Sequence, residues 1–124
     1  MIKFNPLELS DHDYYRTYNG TKYTYSIPNL IQFAKEKKYK PFTLDLRGVD
    51  MSCLMWSINN MRDIAYHFDR VMKSDISIPI LIDDRGIICD GWHRFIKAVI
   101  LKKDTIKAIR LEEMPYANSE EKVN

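Results

Sequence analysis

The sequence predicts an α+β domain in which a small mixed β-sheet is packed with two to three helices. Two short isoleucine-rich runs, residues 80–82 and 87–89, flank the turn residues 83–86 and indicate a hairpin. A strongly amphipathic segment precedes this hairpin, and a second helical segment, 95–101, follows it. The whole order is strand, helix, strand, helix, strand, strand, helix, strand, which is typical of a mixed domain.

The length and the net charge of the chain limit the number of domains and the kinds of partner that can be expected. The 124 residues predict a single domain, 1–124, with its core at about 42–115 and with peripheral segments at 1–22 and 116–124. The net charge of +2 does not by itself indicate nucleic-acid binding. No apolar run approaches the length of a transmembrane helix, so no membrane contact is expected.

Cysteine usage favours a reducing compartment. Cys53 and Cys89 both lie among apolar residues, and two cysteines do not make a disulfide framework. The first residues lack the apolar run of a signal peptide. We therefore expect two buried thiols and a cytoplasmic protein.

The first half of the chain contains clear local signals. Asn19-Gly20 predicts a turn, 23–27 a short strand, and Pro28 the first turn of a helix. Alternating apolar residues predict a strand at 42–46. The tyrosine-rich residues before position 24 suit either an exposed arm for protein recognition or a folded hairpin.

The strongest helix signal covers the middle of the chain. Asn59 or Asn60 can cap it, Asp63 lies in its first turn, and it should end near Lys73 or Ser74. Its apolar residues are spaced by four, three, four, three and four, which predicts one face buried against a sheet. These residues are Leu54, Ile58, Met61, Ala65, Phe68 and Met72.

The C-terminal segment contains one predicted strand and a charged tail. Residues 105–111 predict a returning strand, and the charged segment 112–124 is expected to fray. Two small lysine clusters, at 35–40 and 102–107, could contact nucleic-acid phosphates, but acidic residues interrupt both clusters.

The main candidate site lies where the hairpin passes into the following helix. Gly91 permits a turn and a close ligand approach, while His93 and Arg94 can bind phosphate or carboxylate oxygens. Lys97 shares the helix face of His93. A helix N-terminus also favours anions. The alternative is that Asp90 only caps the helix and that the cations are solvated.

The segment 79–111 resembles the region around the Asp-Gly-x-His-Arg box of the ParB/sulfiredoxin-like superfamily, here residues 90–94. The closest likeness is to small ParB-like domain proteins of bacteria and phages, with Lys97-Ala98 in the following helix. Asp75 before the strand and Pro115 after the last one also match. The resemblance covers about residues 42–115.

The resemblance implies a nucleotide-phosphate site. Gly91, Trp92, His93, Arg94 and Lys97 would bind the phosphate, and His93 and Asp90 would be the catalytic residues of an enzyme. A reaction would then be phosphoryl transfer, nucleotide hydrolysis or nuclease cleavage, with a nucleotide such as ATP or CTP and Mg²⁺.

Two departures from the superfamily narrow this expectation. Sulfiredoxins carry their reactive cysteine where this chain has Trp92, so sulfinic acid reduction is not expected. Partition proteins carry a different box and a helix-turn-helix domain after it, so centromere binding is not supported.

The preceding helix supplies further candidates. Asn60 and His67 can approach the nucleotide site, although His67 also suits the boundary of an amphipathic helix. Trp56 can stack on a base or fill the core, and the core is favoured. Asp83-Asp84 can hold Mg²⁺ or simply form the turn, and the turn is favoured, so no metal ligand is assigned.

Two other classes of function compete with the phosphate site. One is a non-catalytic protein-interaction factor of phage or plasmid origin, and the other is a DNA-binding regulator. The expected partner is thus a nucleotide or another phosphate-bearing ligand, with nucleic acid and protein partners left open.

Overall fold

The computed structural model describes residues 13–52 and 56–123. This part of the chain is a mixed α/β domain with two sheets and three α-helices. The strands are β1 (Asp13–Tyr18), β2 (Thr21–Ser26), β3 (Phe42–Asp45), β4 (Ile80–Ile82), β5 (Ile88–Asp90), β6 (Thr105–Arg110) and β7 (Ser119–Lys122). The helices are α1 (Ile27–Glu36), α2 (Met61–Lys73) and α3 (Trp92–Ile100).

The larger sheet has the strand order β3-β6-β4-β5. Strand β4 runs parallel to β6 and antiparallel to β5, so this sheet is mixed, as the sequence predicts. Side chains alternate along β4, and both faces of the strand are therefore buried. Ile80 and Ile82 join Phe95 of α3 in one core cluster, whereas Leu81 joins α1 and the N-terminal hairpin in the other.

A second sheet, β1-β2-β7, differs from the single sheet predicted from the sequence. Strands β1 and β2 form an antiparallel hairpin around Asn19-Gly20, both with positive φ, so the tyrosine-rich segment from Asp13 on is a folded hairpin. The prediction of a frayed tail is wrong over β7, because Ser119–Lys122 pairs with Thr21–Thr24 of β2. All four β7 side chains are exposed, so apolar periodicity gave no signal for this strand.

Helix α2 begins and ends as predicted. The Asn60 side chain accepts a hydrogen bond from the Asp63 amide, and Asp63 in turn accepts one from the Asn59 amide. These two bonds satisfy amide groups that a helix N-terminus leaves free. Ser74 follows the last helical residue, Lys73.

The prediction of a buried apolar face on α2 is wrong. Asp63, Tyr66, His67 and Val71 are the buried residues of the helix. We name the exposed residues of the opposite side the outer α2 face. They are Met61, Ile64, Ala65, Phe68 and Met72.

The position of α2 explains this inversion. Helix α3, not α2, covers the face of the larger sheet that carries Ile80 and Ile82, and α2 packs against α3. The side of α2 that carries His67 therefore faces α3. His67 forms a hydrogen bond there with His93, at the start of α3. Leu54 and Cys53 lie outside the described residues. In the described ranges, no helix has the length and apolar character to cross a bilayer.

Candidate functional site

Gly91 makes the corner between β5 and α3. Its φ is +106°, a left-handed conformation that side chains disfavour. A Cβ atom there would also lie 2.6 Å from Ile80 Cγ2 and 2.7 Å from Arg94 Nη2. Both the backbone conformation and the lack of space therefore require glycine at this position.

The N-terminus of α3 has no side-chain cap, since Gly91 occupies the capping position. The Phe95 amide bonds to the Gly91 carbonyl. Asp90, the predicted alternative cap, instead accepts a hydrogen bond from Arg94 Nη2 at 3.2 Å. The first turn of α3 therefore keeps its positive dipole end free of a carboxylate or hydroxyl cap.

His93 and His67 form a hydrogen-bonded pair. The distance from His67 Nδ1 to His93 Nε2 is 2.9 Å, so one of these nitrogens donates a hydrogen and the other accepts it. The two rings are nearly coplanar, inclined by 14°. Residues 26 positions apart, on α2 and α3, thus share one proton.

Trp56 covers this histidine pair. Its ring centroid lies 4.4 Å from the centroids of both His67 and His93, and its plane is inclined to them by only 5° and 11°. The indole therefore stacks over the middle of the pair and shields one face of both imidazoles. Trp56 is only partly buried, so the core role favoured from the sequence does not describe its position, and stacking on a base stays a prediction.

Both histidines are held in their neutral form. Burial, aided by the nearby Arg70 and His67 and by Arg94, lowers the pKa of His93 to about 4. Burial and Arg70 also lower the pKa of His67, which Asp63 only partly offsets. At neutral pH His93 is therefore a proton acceptor or a neutral donor, and the site has one cation fewer than the sequence suggests.

Lys97 lies near the site but contacts the backbone of α2. Its Nζ atom donates hydrogen bonds to the carbonyl oxygens of Ser74 at 2.6 Å and Met72 at 3.0 Å. These carbonyls belong to the C-terminal end of α2, where a positive charge is favourable. Lys97 thereby attaches the end of α2 to α3.

A cavity of about 320 Å³ lies between the end of α2 and the start of α3. Three cationic side chains, Arg70, Lys73 and Arg94, line it, together with two acidic ones, Asp75 and Asp90. The remaining lining residues are Ser74, Ile78, Gly91 and His93.

The predicted site residues divide into three groups. Asp90, Gly91, His93 and Arg94 line the cavity, and His67 adjoins it through His93. Trp92 packs edge-on against Phe95 and the core, and its Nε1 atom is buried without a hydrogen bond among the described residues.

Asn60 and Lys97 form the third group, whose contacts are structural. Asn60 caps the start of α2, whereas Lys97 contacts the other end of the same helix. Neither residue lines the cavity. Asp83, the alternative metal ligand, is fully buried and accepts bonds from the Arg85 and Ile87 amides within its own turn. These contacts agree with the role in the turn that the sequence favours for Asp83.

The predicted site lacked the two cationic lining residues of α2, Arg70 and Lys73. Arg70 follows His67 by three positions, so the helical period already placed both on one side of α2. Its guanidinium donates to the Tyr66 hydroxyl at 2.8 Å, which holds it beside the cavity. Lys73 had no comparable signal, because only the packing of α2 against α3 brings it to the same cavity as Arg94.

The described ranges contain no cluster of three or more histidine, cysteine or acidic side chains suited to a metal ion.

Comparisons with protein-family models, with curated proteins and with solved structures gave no match.

Proposed function

We propose that this chain is a ParB/sulfiredoxin-like domain that binds a phosphate-bearing ligand, such as a nucleotide, in the cavity between α2 and α3. The observation that carries the proposal is the uncapped start of α3 at Gly91, which opens beside three cationic side chains. Free amide groups, a helix dipole and guanidinium groups together suit an anion. The proposed setting is the cytoplasm.

The cavity lining has three cationic side chains and two acidic ones, so its charge favours an anion. Arg70 and Lys73 project from α2, and Arg94 from α3, so an anion between them would contact both helices. Arg94 Nε is buried without a partner among the described residues, while its Nη2 bonds to Asp90. A phosphate that competes with Asp90 would satisfy the guanidinium more fully.

The size of the cavity limits what it encloses. About 320 Å³ is at the lower end of the range for ligand pockets. The cavity therefore suits the phosphate groups of a nucleotide better than a whole nucleotide, and the base would lie outside it.

The proposal includes a proton-accepting group next to the anion. His93 is neutral, lines the cavity and shares a hydrogen with His67. Hydrolysis or phosphoryl transfer needs such an acceptor, and the second imidazole could take the proton onward. In this arrangement His93 accepts the proton of the attacking hydroxyl group or water at its other ring nitrogen, Nδ1, Nε2 passes its own hydrogen to His67 Nδ1, and Arg94 stabilises charge on the phosphate.

Binding is tested by calorimetry and thermal shift with phosphate, pyrophosphate, ADP, ATP, CTP and GTP, each with and without Mg²⁺. A ligand that binds the folded protein raises its melting temperature. Replacing both Arg70 and Lys73 by glutamine should weaken binding about tenfold or more, because two charge-assisted contacts are lost. Lys40→Gln, an exposed lysine that does not line the cavity, is the control.

Two results would contradict the proposal. One is the absence of binding to every anion in the series. The other is equal loss of affinity in the double variant and in Lys40→Gln, which would indicate only general attraction to a weakly basic protein.

A further inference from the structure

The outer α2 face exposes four large apolar side chains. Met61 is 75 % exposed, Phe68 and Met72 are each 58 % exposed, and Ile64 is 41 % exposed. These side chains follow one another along more than two helical turns, so they form a continuous stripe. Single exposed apolar residues are ordinary, but a continuous stripe marks an interaction surface.

We propose that the occupant of this face is the same face of a second copy, with the two α2 helices antiparallel about a two-fold axis. An axis between residues 66 and 67 places Met61 opposite Met72 of the partner subunit. It also places the small Ala65 opposite the large Phe68 of the partner subunit. Large and small side chains that face each other interdigitate well, so the stripe is complementary to itself.

The charges beside the stripe support self-association. At about 100° per residue, Arg62 and Asp69 lie on the same flank of the outer α2 face. In an antiparallel pair like flanks meet, so Arg62 approaches Asp69 of the partner subunit, and the contact occurs twice by symmetry. Lys73 pairs with Asp69 on the same helix at 3.0 Å, which leaves this carboxylate between two cations.

The cavity stays accessible in such a dimer. His67 and Arg70 lie on the inner side of α2, away from the stripe. The dimer does not require a bound phosphate, although Lys73 lines the cavity and also pairs with Asp69 at the flank of the stripe. One helix pair buries less than the roughly 1,200 Å² of a standard interface, so we expect a dimer with a dissociation constant in the micromolar range.

Sedimentation velocity over a concentration series tests the proposal. The full chain should pass from monomer to dimer, and Phe68→Asp should remain monomeric because a buried charge would face the partner's apolar stripe. Tyr116→Asp, which alters a fully exposed aromatic residue outside α2, should dimerise like the unchanged protein. Circular dichroism checks that each variant is folded.

A charge exchange identifies the partner as a second copy. Arg62→Glu and Asp69→Arg should each weaken the dimer, whereas a mixture of the two single variants should form heterodimers in which both charge pairs are opposite again. A protein that stays monomeric at every concentration would overturn the proposal and leave the stripe to a different protein. Dimers that Phe68→Asp does not affect, or a mixture without recovery, would overturn it too.

Discussion

At the scale of single residues, the histidine pair is the unusual feature. Two imidazoles share a hydrogen at 2.9 Å beneath an indole ring, and both have lowered pKa values. A lone histidine in a helix has many ordinary roles, so the sequence does not predict a contact between His67 and His93. Burial, more than this contact, keeps His93 neutral at physiological pH.

The pair predicts a stability change with pH. The unfolded histidines take up protons near pH 6.5, but folded His93 does so only near pH 4. The unfolded state therefore binds more protons between pH 6.5 and pH 4. The contribution of His93 to the free energy of unfolding should thus be complete above pH 6.5 and decrease as the pH falls towards 4. Urea titrations at several pH values measure the fall.

The matched control for this prediction is His93→Gln. The variant should be less stable at pH 7 but should lose less stability between pH 6.5 and 4. NMR titration of the imidazole signals gives a second readout. A pKa near 6.5 for both histidines in the folded protein would contradict the prediction.

At the scale of elements, the contact between α2 and α3 organises the site. Side-chain contacts that hold α2 to α3 include the Lys97 ammonium on the α2 carbonyls, the His67–His93 bond and the bond from the Ser74 hydroxyl to the His93 carbonyl. These contacts border the cavity, because Ser74 and His93 take part in them and also line it. Lys97 thus holds the two helices together, and the direct phosphate contact that the resemblance to the superfamily implies stays a prediction.

Lys97→Met should therefore lower stability in the absence of any ligand. Two hydrogen bonds from a charged donor to helix carbonyls are lost, and we expect a cost of about 1–3 kcal/mol in the free energy of unfolding. Lys35→Met, at the exposed end of α1, should change it by less than about 0.5 kcal/mol. Chemical denaturation measures both variants, and an unchanged Lys97→Met protein would contradict the structural role.

At the scale of the whole molecule, a buried polar contact joins the two sheets. The Tyr14 hydroxyl of β1 donates to Asp83 Oδ2 at 2.7 Å, and Asp83 lies in the turn between β4 and β5. Arg16 bonds to the neighbouring Asp84 at 2.8 Å. Burial and the bond to Asp83 raise the pKa of Tyr14, so its hydroxyl stays protonated as the donor.

Tyr14→Phe should loosen the attachment of the N-terminal hairpin. The buried Asp83 carboxylate loses its hydroxyl partner, which should cost about 1–3 kcal/mol of unfolding free energy. Tyr15→Phe, the neighbouring exposed residue, should be nearly neutral. Hydrogen exchange of the β1 and β2 amides should increase in Tyr14→Phe alone, and equal protection in both variants would contradict this role of the contact.

The sequence by itself determined the features that depend on neighbouring residues. The Asn19-Gly20 turn, the Asn60 cap, the end of α2 near Ser74 and the corner at Gly91 all follow from local backbone chemistry. Only the tertiary structure decided which side of α2 is buried and which partners His67 and Lys97 find. These contacts join residues 23 to 26 positions apart, and periodicity shows that a helix has two faces without showing which one another element will cover.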